Sequence, residues 1–216
     1  MSCHVIVFKE QLKKAILEEV DKGKDSYAAK KHYLPHQPVI TLTKETTKLC
    51  IVISVSTHYK GCPSINDVVH QGPTILPKLY GILLRFRTAK CVLISDAEKA
   101  FLQVRIEETD RDFTRRLWIK SINKPLTPEN LAVYRFTRVT LSINASPFLL
   151  SATILYCLKN FVEKKELAEE IAANLCVDDF FILAETKEDA IRKYTTRKSR
   201  NCRWICANSF PTAQKL

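Results

Sequence analysis

The sequence predicts an α+β fold in which helices pack on one face of an antiparallel sheet. Three observations carry this. Short β-rich apolar runs recur between turn signals, at Val39–Leu42, Leu49–Val55, Cys91–Ala97, Arg115–Lys120 and Val133–Val139. Segments of helical period stand between them. Only four glycines occur, Gly23, Gly61, Gly72 and Gly81, where average usage would give roughly fifteen. The Gly-rich phosphate loops of nucleotide-binding α/β folds are therefore absent.

Taken in order, Lys9–Val20 spaces Leu12, Ala15, Ile16 and Val20 as an amphipathic helix stopped by Gly23. Residues 24–38 are polar, contain Pro35 and Pro38, and read as loop. The runs at 39–42 and 49–55 form a strand pair, and His58–Pro73 is a turn-rich connection. Thr74–Arg87 is a helix with basic residues near its C-terminal end, where the helix dipole favours them. Cys91–Ala97 reads as a buried strand with Asp96 at its far end. Phe101–Ile106 follows, then a charged turn or short helix at Glu107–Asp112 and two strands joined through Pro125 and Pro128. The second of these strands sets Tyr134, Phe136 and Arg138 on one face. Ser146 as N-cap and Pro147 at the first helical position open a long apolar helix from Phe148 to about Lys164. An Asp-Asp hairpin comes next, and Thr186 caps a last helix running to about Thr196.

The chain has 216 residues, 46% of them hydrophobic, enough for a substantial core. Its net charge of +11 suits a polyanionic partner, nucleic acid or an acidic membrane surface. No signal peptide is visible, and no run approaches the roughly 20 apolar residues of a membrane span. The eight cysteines, at 3, 50, 62, 91, 157, 176, 202 and 206, form no Cys-x-x-Cys pair. Four lie within apolar runs, so they read as buried free thiols in a reducing compartment, which places the chain inside the cell, cytoplasmic or nuclear, and not secreted. Residues 187–203 hold seven Lys and Arg against two acids, either a solvated tail or a nucleic-acid track.

Asp178 and Asp179 sit between two apolar runs, Ile171–Val177 and Phe180–Ala184. That pattern predicts a hairpin whose turn lifts two carboxylates out of the sheet. Such oxygens suit a hard cation such as Mg²⁺, although aspartate is also simply a common turn residue. Neighbouring strands could bring Asp96 to the pair. Three carboxylates in a basic protein would then call for two divalent ions, the arrangement used for in-line phosphoryl transfer.

The motifs, in order, resemble the reverse transcriptases of Bel/Pao-type LTR retrotransposons over nearly the whole chain. They are Tyr33-Leu-Pro-His-Gln-Pro-Val39, Thr47-Lys-Leu49, Gln71-Gly-Pro-Thr-Ile-Leu-Pro77, Leu83-Leu-Arg-Phe-Arg87 and Asp96-Ala-Glu-Lys-Ala-Phe-Leu-Gln103. Asp110-Arg-Asp112, Ser146-Pro-Phe-Leu-Leu150, Val177-Asp-Asp179 and Arg203-Trp204 with Asn208-Ser209 complete the set. The resemblance implies a truncated reverse-transcriptase domain. Fingers would cover about 1–88 and 107–136, palm about 89–106 and 137–209, with the thumb missing.

It also implies roles. Asp96 and Asp178 would bind two Mg²⁺ ions, which Mn²⁺ can replace, with the Ala97 carbonyl on the nucleotide-side metal and Asp179 near the primer end. Phe101 matches the aromatic steric gate under the sugar. Ser146 and Pro147 match the start of the helix supporting nucleotide and template, and Lys48 the lysine of a substrate-binding fingers segment. The substrates would be an RNA or DNA template, a primer and dNTPs, with no membrane partner. Three positions depart from the family. Cys176 replaces the tyrosine before Val-Asp-Asp, Ser142 replaces a pocket glycine, and Cys50 replaces a fingers arginine that would grip the triphosphate bidentately. These departures keep open a second reading, a non-catalytic nucleic-acid-binding remnant of the same fold.

Overall fold

A computed structural model describes residues 3–20, 31–40, 49–121, 123–162, 164–197 and 212–214. The architecture is mixed helix and antiparallel sheet. In chain order the elements are α1 (Cys3–Lys13), β1 (Leu17–Glu19), β2 (His36–Ile40), β3 (Leu49–Ile53), α2 (Ile65–Val68), α3 (Leu79–Thr88) and β4 (Cys91–Asp96). They continue with β5 (Arg115–Ile119), β6 (Leu131–Phe136), α4 (Ser146–Phe161), α5 (Lys165–Ala173), β7 (Leu175–Cys176), β8 (Asp179–Ala184), α6 (Lys187–Arg197) and β9 (Thr212–Gln214). Short 3₁₀ turns lie at Ala100–Gln103 and Glu108–Thr114. Among the described residues no helix is long and apolar enough to cross a membrane.

The chain divides into two compact units, Met1–His70 with Arg105–Ser146, and Gln71–Val104 with Pro147–Leu216.

The first unit holds a three-stranded sheet, β1-β6-β5, and the hairpin-like pair β2-β3. On β6 the side chains alternate as the period-2 pattern demands: Ala132, Tyr134 and Phe136 are buried, and Leu131, Val133 and Arg135 are half-buried. Phe8 of α1 completes this core, stacked on Trp118 at 5.1 Å and edge-on to Tyr134 at 4.8 Å. A second cluster gathers Leu34, Val55 and Ile65 with Phe113 and Ile143. The expected helix Lys9–Val20 ends instead at Lys13. Ala15 turns the chain with a φ of 50°, and Leu17–Glu19 pairs with Phe136–Tyr134 of β6. Ile16 and Leu17 are apolar at helical spacing, but pairing with β6 buries both and satisfies their backbone, so tertiary contact overrides local period. The expected glycine stop at Gly23 lies outside the described residues.

The second unit is built on the four-stranded antiparallel sheet β7-β8-β4-β9. Ala190 and Tyr194 of α6 pack on Leu93, Ile182, Ala184 and Cys91. Successive strand residues point to opposite faces, and both Val92 and Leu93 are buried. Phe86 of α3 meets Phe181, on the face opposite Ile182, at 6.1 Å. Helices therefore do not confine themselves to one face, as the sequence had led us to expect.

Three helix boundaries also differ from expectation. α3 begins at Leu79 rather than Thr74, because Pro77 keeps the residue before it out of the helical region. The long helix stops at Phe161, and a separate α5 follows, burying Leu167, Ala168 and Ile171. Ser146 is itself the first helical residue of α4, and its buried hydroxyl donates to the Thr140 carbonyl at 2.6 Å instead of capping the helix. Thr186 does cap α6, accepting from the Asp189 N–H at 3.1 Å.

Candidate active site

The second unit brings the three predicted aspartates to one end of one strand pair. β4 and β8 run antiparallel with Cys91 opposite Ala184, and the register carries through to Asp96 opposite Asp179. The Ala97 N–H donates to the Asp178 carbonyl at 3.0 Å, closing the pair past its last rung. Asp96 and Asp179 share the face of Ile94 and Phe181, opposite the one α6 covers. Like charges directly opposed across strands are destabilising, and the proton affinities reflect that. Partial burial and then the Asp178 charge, with a smaller push from Glu98, raise Asp96 above its ordinary value. Burial, then Asp178 and Asp96, raise Asp179 likewise.

The turn that presents them is strained. Cys176 pairs with Asp179, leaving Val177 and Asp178 as a two-residue hairpin loop. Val177 has a φ of 58°. Positive φ at the first central residue is the II′ hairpin pattern, in which glycine is usual. For a β-branched residue it is an outlier costing on the order of 1–3 kcal/mol. Burial and then the charges of Asp179 and Asp178 push the Cys176 thiol up, which keeps it protonated beside them.

The donor chemistry fits a hard divalent cation: two facing carboxylates whose repulsion a cation would relieve. Among the described residues no three His, Cys, Asp or Glu side chains are grouped to form a complete metal cage. Mg²⁺ usually takes only one or two carboxylates and fills its shell with water and substrate phosphates.

The other predicted positions fall as follows. Ala97 is buried, and its carbonyl accepts the Ala100 N–H at 3.1 Å. Phe101 lies in the 3₁₀ turn Ala100–Gln103 with 9% of its surface exposed, held in the chain's own packing. Pro147 is exposed in the first turn of α4. Ser142 and Ser146 belong to the first unit. Ser142 is exposed with a φ of 82°, its carbonyl accepting from Asn66 at 2.9 Å. Glycine adopts that left-handed backbone at no steric cost, whereas serine does not. Lys48 lies outside the described residues, as does the side chain of Cys50. The strain at Val177 had no sequence signal beyond the turn itself. Comparison with protein-family models and with curated proteins finds no match to this chain.

Proposed function

We propose that this chain is an RNA-directed DNA polymerase domain of the Bel/Pao reverse-transcriptase kind, joining a dNTP to a primer 3′-hydroxyl on an RNA or DNA template. The observation that supports it best is the register that sets Asp96 opposite Asp179, with Asp178 tied to Ala97. Carboxylates spread over two distant segments, Asp96 and Asp178–Asp179, meet at one strand end, as two-metal nucleotidyl transfer requires.

Asp96 and Asp178 would hold the two Mg²⁺ ions. When bound, the ions supply charge neutralisation for the attacking and leaving oxygens of the displacement. Asp179 stands toward the primer end and keeps the local field negative, so that the cations are retained. The strained Val177 turn fixes where the Asp178 carboxylate projects.

Two observations favour the second reading, a binding remnant without catalysis. Phe101 is buried, whereas a steric gate must offer a ring face to the sugar. Cys50 stands where the family has an arginine for the triphosphate, and a thiol makes no bidentate phosphate contact.

Single-nucleotide addition to a short primer–template, with Mg²⁺ and separately with Mn²⁺, decides between the readings. Template-directed addition that disappears in Asp178→Asn/Asp179→Asn supports the polymerase. Salt-sensitive duplex binding without addition supports the remnant, and absence of both sinks the two together.

A further inference from the structure

The second unit leaves two aromatic rings largely outside its own packing. On α4, Leu150, Ile154, Cys157 and Leu158 are buried, but Tyr156 is 62% and Phe161 47% exposed. The two rings meet edge to face, with centroids 6.2 Å apart. α4 contains no acidic residue. Lys159 stands three residues beyond Tyr156, on the same side of the helix, and is exposed.

Just past Phe161, Lys164 and Lys165 line a cleft of about 630 Å³ between α5 and α6. Its charged lining is Lys164, Lys165, Arg192 and Lys193 against Glu166 and Glu170. Glu170 accepts from Lys193 at 2.9 Å, and Arg192 donates to Asp189 at 2.6 Å. Lys164 and Lys165 are thus left against Glu166. Among the described residues neither of them, nor Lys159, forms an ion pair. This cleft is not the place of the facing aspartates, because α6 covers the other face of the sheet.

We propose that Tyr156 and Phe161, with the ammonium groups of Lys159, Lys164 and Lys165, form a binding site for a single-stranded nucleic acid. Unpaired bases offer π-faces that stack on exposed rings, and a basic groove beside the rings tracks the phosphates. A duplex hides those faces in its own stack and would meet only the lysines. A purely apolar partner would cover the rings and leave the three ammonium groups unmatched. The net charge of +11 draws a polyanion to the chain as a whole. The site deepens the nucleic-acid side of the function proposed above and rests on that side alone, since it uses no metal.

The test is titration of the whole chain against a fluorescent oligothymidylate of about 12 residues over a range of salt, with chelator present and dNTP absent. An abasic strand of the same length carries the phosphates without the bases. Tyr156→Ala/Phe161→Ala should weaken oligothymidylate binding at least roughly tenfold. The slope of log K against log salt should hold, and the abasic strand should bind as before. Lys164→Gln/Lys165→Gln should lower that slope by about 1.4 on both strands, as two phosphate contacts on a single strand require. If the double alanine variant does not fold, Tyr156→Leu, which keeps apolar surface but no ring, should weaken oligothymidylate binding roughly fivefold. Equal loss on the abasic strand overturns the site. So do unchanged affinity for oligothymidylate and a wild-type chain that fails to bind it. Displacement by dTTP at equal phosphate concentration would assign the rings to a free nucleotide, and self-association lost in the alanine variant would assign them to a second copy; either overturns it. The polymerase reading fails separately, by absence of addition to a primer–template, and a chain that fails there can still bind a single strand here.

Discussion

One charged cluster in each unit shows a different treatment of charge, although the second unit also pairs Lys193 with Glu170 at 2.9 Å. In the first, most buried or half-buried charge is matched. Asp112 and Glu18 sit among Arg111, Arg115 and Arg135, and the hydrogen bonds are short and shared. In the second, Asp96 and Asp179 face each other next to a strained turn, and among the described residues neither forms an ion pair with a basic side chain. Matched charge holds a fold in one geometry. Unmatched charge on a reachable strand end is a cost that only a ligand relieves, and proteins tolerate such costs chiefly at functional sites. Arg116 shows why reach matters. It is unmatched too, but it is 1% exposed, wedged over the rings of Phe8 at 4.4 Å and Phe136 at 5.0 Å. No ligand can enter there, so its charge is only a liability.

The largest effect should come from neutralising the reachable acids. Asp178→Asn/Asp179→Asn should lower nucleotide addition by at least about a hundredfold, while Asp179→Asn alone raises thermal stability slightly, by about 0.5 kcal/mol. Loss of activity with a small gain in stability is the signature of a site that strains its fold. A marked loss of stability on Asp179→Asn would mean that the carboxylate is structurally matched after all, and the contrast between the units would fail.

The converse experiment lies at Arg116. Its guanidinium donates to Gln11 at 3.0 Å, but Nε and Nη1 are buried without partners, and burial brings its pKa down to about 10. Replacing a buried unpaired charge by an apolar side chain of similar volume is stabilising by about 1–3 kcal/mol. Arg116→Met should therefore raise the urea midpoint at unchanged m-value and leave duplex binding untouched. Weaker binding in that variant would show that Arg116 is reached by ligand.

Backbone strain offers a finer comparison, between Ser142 of the first unit and Val177 of the second, both non-glycine residues in the left-handed region. Val177→Gly should stabilise by about 1 kcal/mol, the relief of a β-branched outlier less the entropy of glycine. Ser142→Gly should gain less, about 0.5 kcal/mol, because serine tolerates that region better. Chemical denaturation of the two variants checks the order. If Val177→Gly also slows nucleotide addition, the strain positions Asp178 and is not incidental.

How much of this was legible follows from which forces act locally. β4 and β8 could be read because their apolar runs end at polar residues, and the cap at Thr186 because capping is a local hydrogen bond. That Asp96 would stand opposite Asp179, rather than one rung away, could not be read, because register is set by pairing between segments distant in sequence. The end of α1 was hidden for the same reason: Leu17 suits helix or strand, and β6 decides. α5 was overlooked because its last residues, Ile171–Ala173, were counted with the apolar run before Asp178, although Leu167, Ala168 and Ile171 carried a helical spacing and the strand there is only Leu175–Cys176. Arg116 could not have been foreseen in the core, since arginine is almost never fully buried without a partner. Ser142 was half legible: the family resemblance marked the position, and only the backbone angle shows what serine costs there.

The smallest expected effect, and the most direct measure of the contrast, is the response to acid. Asp96 and Asp179 have folded pKa values raised above the ordinary 3.8. The folded state therefore binds their protons before the unfolded chain does. Their penalty is full at neutral pH and lifts as pH falls through the raised values toward 3.8, so this pair makes the protein more stable on mild acidification. Asp112 behaves oppositely. Burial would raise it, but the hydrogen bonds and charges of Arg115 and Arg135 hold it below 3.8. Its contribution is complete above 3.8 and is lost as pH drops from there through the folded value. Denaturation midpoints measured from neutral pH to about pH 3 should thus carry an upper limb that Asp179→Asn flattens and a lower limb that Asp112→Asn flattens. If both variants act on the same limb, the carboxylates of the two units share one electrostatic environment, and the facing pair loses its claim to be the unmatched one.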